Sequence, residues 1–209
     1  SMSNDKPGEE GPSNRVEELE RSCRRMIKEL DEKSEQVAII NGVLRLLSSD
    51  VQIKDVLQVF ANNLKTLCPY DQISIALHDA GSKKFYVPFV LKVGRVSVNK
   101  DFDRSFEDAE LVTIMEKREP DLRRHLKADE MKVKGDTTFV KRVLSCELMV
   151  PLNLGERRYG VLNVSCFDPD GLREEHVRIL SDLAPVVSVA LHMFLERNQG
   201  RIPFSEKEE

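Results

Sequence analysis

The chain has 209 residues, and its 32 basic and 36 acidic side chains leave a formal net charge of only -4 at pH 7. This near balance gives no electrostatic reason to expect direct binding to nucleic acid. Its four cysteines are far apart and lack CxxC spacing, which argues against a disulfide framework or a zinc site and is typical of a cytoplasmic protein. The uncharged run over residues 183–195 is shorter than the about 20 apolar residues of a membrane-spanning helix, so no membrane insertion is expected.

The N-terminal quarter combines a polar leader with a heptad pattern. Residues 1–15 are rich in Ser, Gly, Pro and acidic residues, so we expect a disordered leader. Over residues 16–47 apolar side chains recur at alternating steps of three and four, and only Lys33 breaks the stripe. The pattern predicts a coiled-coil helix that pairs with a second copy; the alternative is an amphipathic helix packed on its own domain. The predicted seam comprises Val16, Leu19, Cys23, Met26, Leu30, Val37, Ile40, Leu44 and Leu47.

A second helix and a hairpin are predicted next. Apolar residues at helical spacing predict a helix over residues 51–67, and Pro69 ends it. Alternating apolar and polar residues predict two strands, over residues 72–78 and 85–91. Residues 94–100 form either a third strand or a loop.

The segment that follows is the most irregular part of the predicted domain. A helix is expected from about Glu107 to Leu126, with Pro120 interrupting it. Residues 101–141 as a whole form an insert between two hairpins. Because irregular segments commonly carry binding residues, we expect the insert to contribute to any functional site.

The C-terminal third shows the clearest pattern of the chain. Alternation over residues 144–153 and again over 160–166 predicts an antiparallel hairpin, and a long amphipathic helix follows it. This helix has more apolar surface than one sheet face needs, so Val186 and Met193 are expected to join the dimer interface. Residues 198–209 are expected to be a flexible tail.

The element order predicts an α+β fold, in which an antiparallel sheet carries the terminal helices on one face and a helical or loop insert on the other. Four segments carry a family resemblance: Asp71-Gln-Ile-Ser-Ile-Ala-Leu, Ser145-Cys-Glu-Leu-Met-Val-Pro-Leu, Gly160-Val-Leu-Asn-Val and residues 180–190. Through them the sequence resembles a GAF domain over about residues 37–197, and the related PAS fold shares the layered plan. The resemblance implies a regulatory, non-enzymatic sensory module of bacterial signal transduction or transcription control, often dimeric through its flanking helices.

GAF-type domains include binders of cyclic nucleotides, bilins and haem, and the residues present favour none of the three. The cyclic-nucleotide type carries an Asn-Lys pair where this chain has Ser165-Cys166, and no Cys-His pair is present for bilin attachment. Haem needs an axial ligand, but His125 stands in the charged run Arg123-Arg124-His125, which indicates a solvated surface. The cofactor is therefore left unassigned, and no metal site is predicted.

A small-molecule pocket is expected between the sheet and the insert. The same aromatic residues would serve either an open cavity or a packed core, so the sequence leaves both possibilities open. Arg142 suits a carboxylate or phosphate because its guanidinium donates two parallel hydrogen bonds. The candidate lining residues are Phe85, Phe89, Phe102, Phe106, Met115, Thr138, Phe139 and Arg142.

Two other functions compete with ligand sensing. One is a ligand-free dimerisation or spacer module. The other is a thiol enzyme similar to free methionine-R-sulfoxide reductase, for which Cys146 and Cys166 are the candidate thiols. Strand parity places Cys146 with Leu148 and Val150, which favours buried cysteines that act as small apolar residues.

Overall fold

Within residues 12–92, 95–98, 106–127 and 144–198, which the computed structural model describes, the chain forms four helices and six strands. The helices are α1 (Pro12–Leu47), α2 (Ile53–Leu64), α3 (Ala109–Lys117) and α4 (Glu174–Arg197). The strands are β1 (Gln72–Asp79), β2 (Lys84–Lys92), β3 (Arg95–Val98), β4 (Asp121–Arg123), β5 (Cys146–Leu154) and β6 (Arg157–Cys166).

The strands form one antiparallel sheet in the order β3-β2-β1-β6-β5-β4. Strand β6 lies between β1 and β5, and its residues from Tyr159 to Cys166 are all buried. A strand that is buried on both faces needs a covering layer on each side. The structure supplies both layers, which confirms the predicted α+β plan.

One face of the sheet is covered by α2, α4 and the second half of α1. Helix α2 buries residues at helical spacing, among them Val56, Phe60 and Leu64. They join Leu180 and Leu183 of α4 in one apolar core with the helix-side residues of β1, β5 and β6. Burial of this area is the main favourable contribution to folding. We call this side of the sheet the helix face.

Helix α3 covers part of the opposite side, which we call the insert face. Leu111, Ile114 and Met115 point inward and pack against apolar residues of β1, β5 and β6. Asp108 caps the helix, because its Oδ1 accepts hydrogen bonds from the backbone N–H groups of Glu110 and Leu111 at 2.9 and 3.1 Å.

The predicted helix over residues 107–126 is wrong in its second half. Helix α3 ends at Lys117, and Arg118 adopts a left-handed conformation with φ 57°. Pro120 then disfavours a helical conformation at the residue before it. The chain continues as β4, which pairs with β5 and was not predicted. Residues 95–98, left open as strand or loop, form β3.

A bulge in β2 changes which of its side chains share a face. Ile75 pairs with Phe89 and Leu77 pairs with Tyr86, so β2 has one extra residue between these two pairs. Consequently Phe85 lies on the insert face, whereas Phe89 belongs to the core of the helix face. The prediction that Phe89 lines an insert-side pocket together with Phe85 is therefore wrong.

Helix α1 begins at Pro12, inside the predicted leader, and has two different halves. Residues 13–31 are exposed apart from the half-buried Ser22. In the second half, Gln36, Ile39, Val43 and Leu47 are buried against the domain. Two predicted seam residues change role, because Leu47 is buried in the core and Ile40 packs against it. The other seam residues of α1 are exposed: Val16, Leu19, Cys23, Met26, Leu30, Val37 and Leu44.

Helix α4 lies between the sheet and the N-terminal helices. Its large apolar surface is therefore covered within the chain: Val186 is buried in the core, and Met193 is half-buried against it. The expectation that these two residues face a second copy is wrong for Val186, which is buried in the core, and stays a prediction for Met193. Two polar contacts fasten α4 to α1, from Lys33 Nζ to Asp182 Oδ2 at 3.0 Å and from Arg197 Nη2 to the carbonyl of Leu47 at 3.1 Å.

Among the described helices, α4 alone has the length and the apolar composition to cross a membrane. Half of that apolar stretch is buried inside the domain, as in the core helix of a globular protein.

We predict that Gly160→Ala destabilises the domain by about 3 kcal/mol or more, because an added Cβ would stand 1.8 Å from the carbonyl oxygen of Ala76 on β1. Gly155→Ala is the matched control, since Gly155 also has a positive φ but no atom within 4 Å of an added Cβ. It should cost only about 1 kcal/mol. Urea unfolding measures both values, and equal costs would contradict the close approach of β6 to β1.

Candidate functional site

Five buried polar side chains lie together on the insert face. They come from three adjacent strands, and none is more than 5% exposed. We call this group the polar cluster: Gln72 and Ser74 on β1, Glu147 on β5, and Asn163 and Ser165 on β6. Polar groups are rarely buried unless hydrogen bonds or a function compensate for the lost water.

Strand alternation and register bring the cluster together. On β1 the side chains of Gln72 and Ser74 point to the insert face, because their neighbours Ile73 and Ile75 belong to the core of the helix face. Ser165 stands opposite both Gln72 and Glu147 in the sheet, and Asn163 stands opposite Ser74. The five residues therefore form two adjacent rows across β1, β6 and β5.

Hydrogen bonds link three members of the polar cluster. Ser165 Oγ donates to Asn163 Oδ1 at 2.6 Å, and Asn163 Nδ2 donates to Glu147 Oε2 at 3.0 Å. These bonds fix the orientation of the Asn163 amide. They also give the carboxylate of Glu147, which is 0% exposed, one charge-assisted hydrogen bond. The cluster is thus an ordered group of acceptors and donors within the sheet.

An apolar wall adjoins the polar cluster along the strands. Phe85 and Phe106 form an isolated bridge between their backbones, and their ring centroids are 5.8 Å apart. Leu111 and Met115 of α3 lie in the same apolar group. The insert face is therefore polar at one end and apolar at the other. Such a combination is typical of small-molecule sites, in which a few polar groups orient a largely apolar ligand.

Of the predicted ligand residues, the structure brings Phe85, Phe106 and Met115 together on the insert face. Phe89 lies on the other face, as described above. The other four predicted residues lie outside the described residues: Phe102, Thr138, Phe139 and Arg142.

Sequence reasoning missed the polar cluster. Its members alternate with apolar residues in the predicted strands, but the site predicted between the sheet and the insert includes none of them. A signal lies in their composition, since Gln72, Ser74, Asn163 and Ser165 are uncharged polar residues, which are buried at lower cost than charged ones.

Three cysteines lie on the helix face, away from the polar cluster. Cys146 and Cys166 are direct partners across β5 and β6, and Cys68 is buried in the same core. Burial raises the pKa of Cys68 and of Cys166 to about 12, and it also raises the pKa of Cys146. A nucleophilic cysteine needs a lowered pKa and access to substrate, so these thiols lack the features of a catalytic site.

A cleft of about 510 Å³ opens beside the N-terminus of α4. Its polar lining groups bond within the protein: Tyr70 donates to the carbonyl of Ala61 at 2.7 Å, and Asp71 accepts from the N–H of Phe167 at 2.7 Å. His176 is 8% exposed, and its Nδ1 accepts the N–H of Arg173 at 3.0 Å. Burial lowers the pKa of His176. These groups hold the start of α4.

Metal ligands are not assembled in the part of the chain that the structure describes, where no group of three His, Cys, Asp or Glu side chains is placed to hold an ion. His125 bonds through Nε2 to Asp170 Oδ1 at 2.9 Å, and both side chains are exposed.

No protein-family model matches the sequence, and no curated protein matches it. Solved structures do match. The GAF domain of a phosphoenolpyruvate-protein phosphotransferase from Coxiella burnetii aligns with a TM-score of 0.58 and 13% identity, over 79% of this chain and 98% of that chain. The GAF domain of a sensor histidine kinase from Bacillus halodurans aligns with a TM-score of 0.53 and 16% identity, over 72% and 99%.

A third similar structure is an enzyme. Free methionine-R-sulfoxide reductase from Neisseria meningitidis, in complex with its substrate, aligns with a TM-score of 0.55 and 13% identity, over 78% of this chain and 91% of that chain. The three proteins share the layered sheet rather than an activity, and a fold does not by itself define a function. Together with the sheet order and the helices on both faces, these similarities show that the chain has the GAF-domain fold.

Proposed function

We propose that this chain is a regulatory sensory module that binds a small polar molecule on the insert face of its sheet. The observation that carries the proposal is the polar cluster, in which a fully buried carboxylate, two amides and two hydroxyls occupy adjacent positions. A ligand that carries amino or hydroxyl groups complements the acceptor atoms of Glu147 and its neighbours. The apolar wall around Met115 and Phe85 would then contact the rest of the ligand.

The similar structures support a regulatory role. Two of them are GAF domains of a phosphotransferase and of a sensor histidine kinase. By analogy, the module belongs to a bacterial signalling or transcription-control protein and acts in the cytoplasm. Helices α1 and α4 would carry the ligand state to other parts of that protein.

A spacer without a ligand fits the polar cluster less well. Burying a carboxylate among amides costs free energy that a well-packed apolar group would not cost. A module that only separates other domains has no need of this cost, whereas a binding site needs polar groups at fixed positions.

A single and a double variant test whether the polar cluster is needed for the stability of the fold. Asn163→Leu should destabilise the domain by about 3 kcal/mol, because it removes the amide that donates to the buried carboxylate of Glu147. The double variant Glu147→Leu, Asn163→Leu should recover to within about 1 kcal/mol of the wild type, since both partners are then apolar. Urea unfolding gives both values. A double variant as unstable as Asn163→Leu would mean that the cluster serves the fold.

Ligand binding is tested by thermal shift with a panel of amino acids, polyamines and sugars. A bound compound should raise the melting temperature of the wild type by several degrees. Glu147→Gln should bind that compound at least about tenfold more weakly, because a charge-assisted hydrogen bond is lost. Glu156→Gln is the matched control, since Glu156 lies exposed in the turn of the same hairpin. An unchanged affinity in Glu147→Gln would place the ligand elsewhere, and no shift with any compound would favour the spacer.

The reductase alternative makes a different prediction. Because burial raises the pKa of Cys68 and of Cys166 to about 12, both side chains are protonated thiols at pH 8. A thiol reagent should therefore modify only the exposed Cys23 rapidly in the native protein, and the other three cysteines only after unfolding. Mass spectrometry of the labelled protein reads the result. Rapid labelling of Cys146 or Cys166, or turnover of free methionine sulfoxide, would support the thiol-enzyme alternative.

A further inference from the structure

Two members of the polar cluster differ from the other three. Gln72 is 5% exposed and Ser74 is 2% exposed, so both side chains are withdrawn from water. In the described ranges neither side chain has a hydrogen-bond partner, whereas Glu147, Asn163 and Ser165 are linked to one another. A buried amide or hydroxyl without a partner loses its contact with water and gains nothing in exchange. The fold therefore gives up stability at these two positions.

Both side chains point into the insert face from the same strand. Gln72 and Ser74 are two residues apart on β1, so their Cα atoms are about 7 Å apart. The next residue on this face is Ala76, which belongs to the apolar group of Phe85 and Met115. Strand β1 thus presents an amide, a hydroxyl and then an apolar surface in a line. A small molecule with a polar head and an apolar body fits this order.

Charges of both signs flank the two side chains in the sheet. Gln72 stands opposite the half-buried Lys92 on β2, and the buried carboxylate of Glu147 lies two strands away on the other side. Ser74 stands opposite Val90 on β2, which is apolar and 1% exposed. No single charge dominates here, so the hydrogen-bonding groups of Gln72 and Ser74 decide which head group fits.

We propose that Gln72 and Ser74 contact the ligand directly and select a neutral head group that both donates and accepts hydrogen bonds, such as a carboxamide or a lactam. This inference rests on the proposed function, and it assigns the part of the ligand that lies over β1. Glu147, on the far side of the polar cluster, contacts another part of the ligand.

The hydrogen-bonding capacity of Gln72 excludes charged head groups. Its carboxamide presents a donor and an acceptor side by side in one plane, and a ligand carboxamide or lactam presents the complementary pair. A carboxylate supplies acceptors only, and an ammonium group supplies donors only, so each leaves one atom of the Gln72 amide buried without a partner. Sites built to bond a polar group discriminate strongly in this way. The hydroxyl of Ser74 both donates and accepts, so it adds a bond to either atom of the head group.

The stability of the ligand-free chain tests whether the two side chains serve the fold. Ser74→Ala should raise the melting temperature by about 2 °C or more, because it removes a buried hydroxyl that no described residue bonds. Ser165→Ala is the matched control on the adjacent strand: Ser165 is also 2% exposed, but it donates to Asn163. The control should lower the melting temperature by about 3 °C. A Ser74→Ala variant that melts at or below the wild-type temperature would overturn the proposal.

Three probes of one shape test the head group: benzamide, benzoate and benzylammonium. Ligand-observed NMR at millimolar concentration should show that benzamide binds at least about tenfold more tightly than either charged probe. Gln72→Leu should remain folded and should weaken benzamide binding at least about tenfold, because both bonds to the head group are lost. Glu147→Gln is the control within the polar cluster and should leave benzamide binding unchanged.

The outcomes separate this inference from the proposed function. Tighter binding of benzoate or benzylammonium, or benzamide binding that survives in Gln72→Leu, would overturn the inference. If benzylammonium then bound to the wild type but not to Glu147→Gln, the ligand site at the polar cluster would still be supported. Binding of none of the three probes would also overturn the inference, and the panel of amino acids, polyamines and sugars would decide the proposed function alone.

Discussion

The double-sided burial of β6 is the constraint on which the rest of the structure depends. Every residue from Tyr159 to Cys166 is buried, so successive side chains must pack alternately against the layer on one face and the layer on the other. Val164 meets the helices, whereas Asn163 and Ser165 meet the insert face. Because β1 and β5 pair with β6 in fixed register, this one strand decides which of their residues become neighbours.

Much of the fold was predictable from the sequence, because period-2 and helical patterns are local. The two hairpins, α2 and α4 follow from such patterns, as does the layered order. The faces of the β2 side chains were not predictable beyond the bulge. One extra residue near Pro88 moves Phe89 to the opposite face without changing the composition of the strand. The polar cluster was missed for a related reason. Alternation shows that two faces differ, but it does not give the register that makes polar side chains of three strands neighbours.

The two interpretations of α1 that the heptad pattern left open concern different surfaces of one helix. Its second half packs on its own domain through Ile39 and Val43, and most of its apolar seam, apart from Ile40 and Leu47, remains exposed. Helix α1 therefore contributes one surface to the core and leaves another surface exposed. The cysteines show a similar division, because the position of Cys146 and Cys166 in the helix-side core explains their raised pKa and separates them from the polar cluster.

The two contacts between α1 and α4 have a mechanical consequence. Lys33 meets Asp182 and, fourteen residues further along α1, Leu47 meets Arg197, so the two helices run in the same direction. The N-terminal end of α1 and the last turn of α4 therefore lie at opposite poles of the domain. A displacement of α4 along its axis would act on both contacts in the same direction, so α1 would be drawn along at two points.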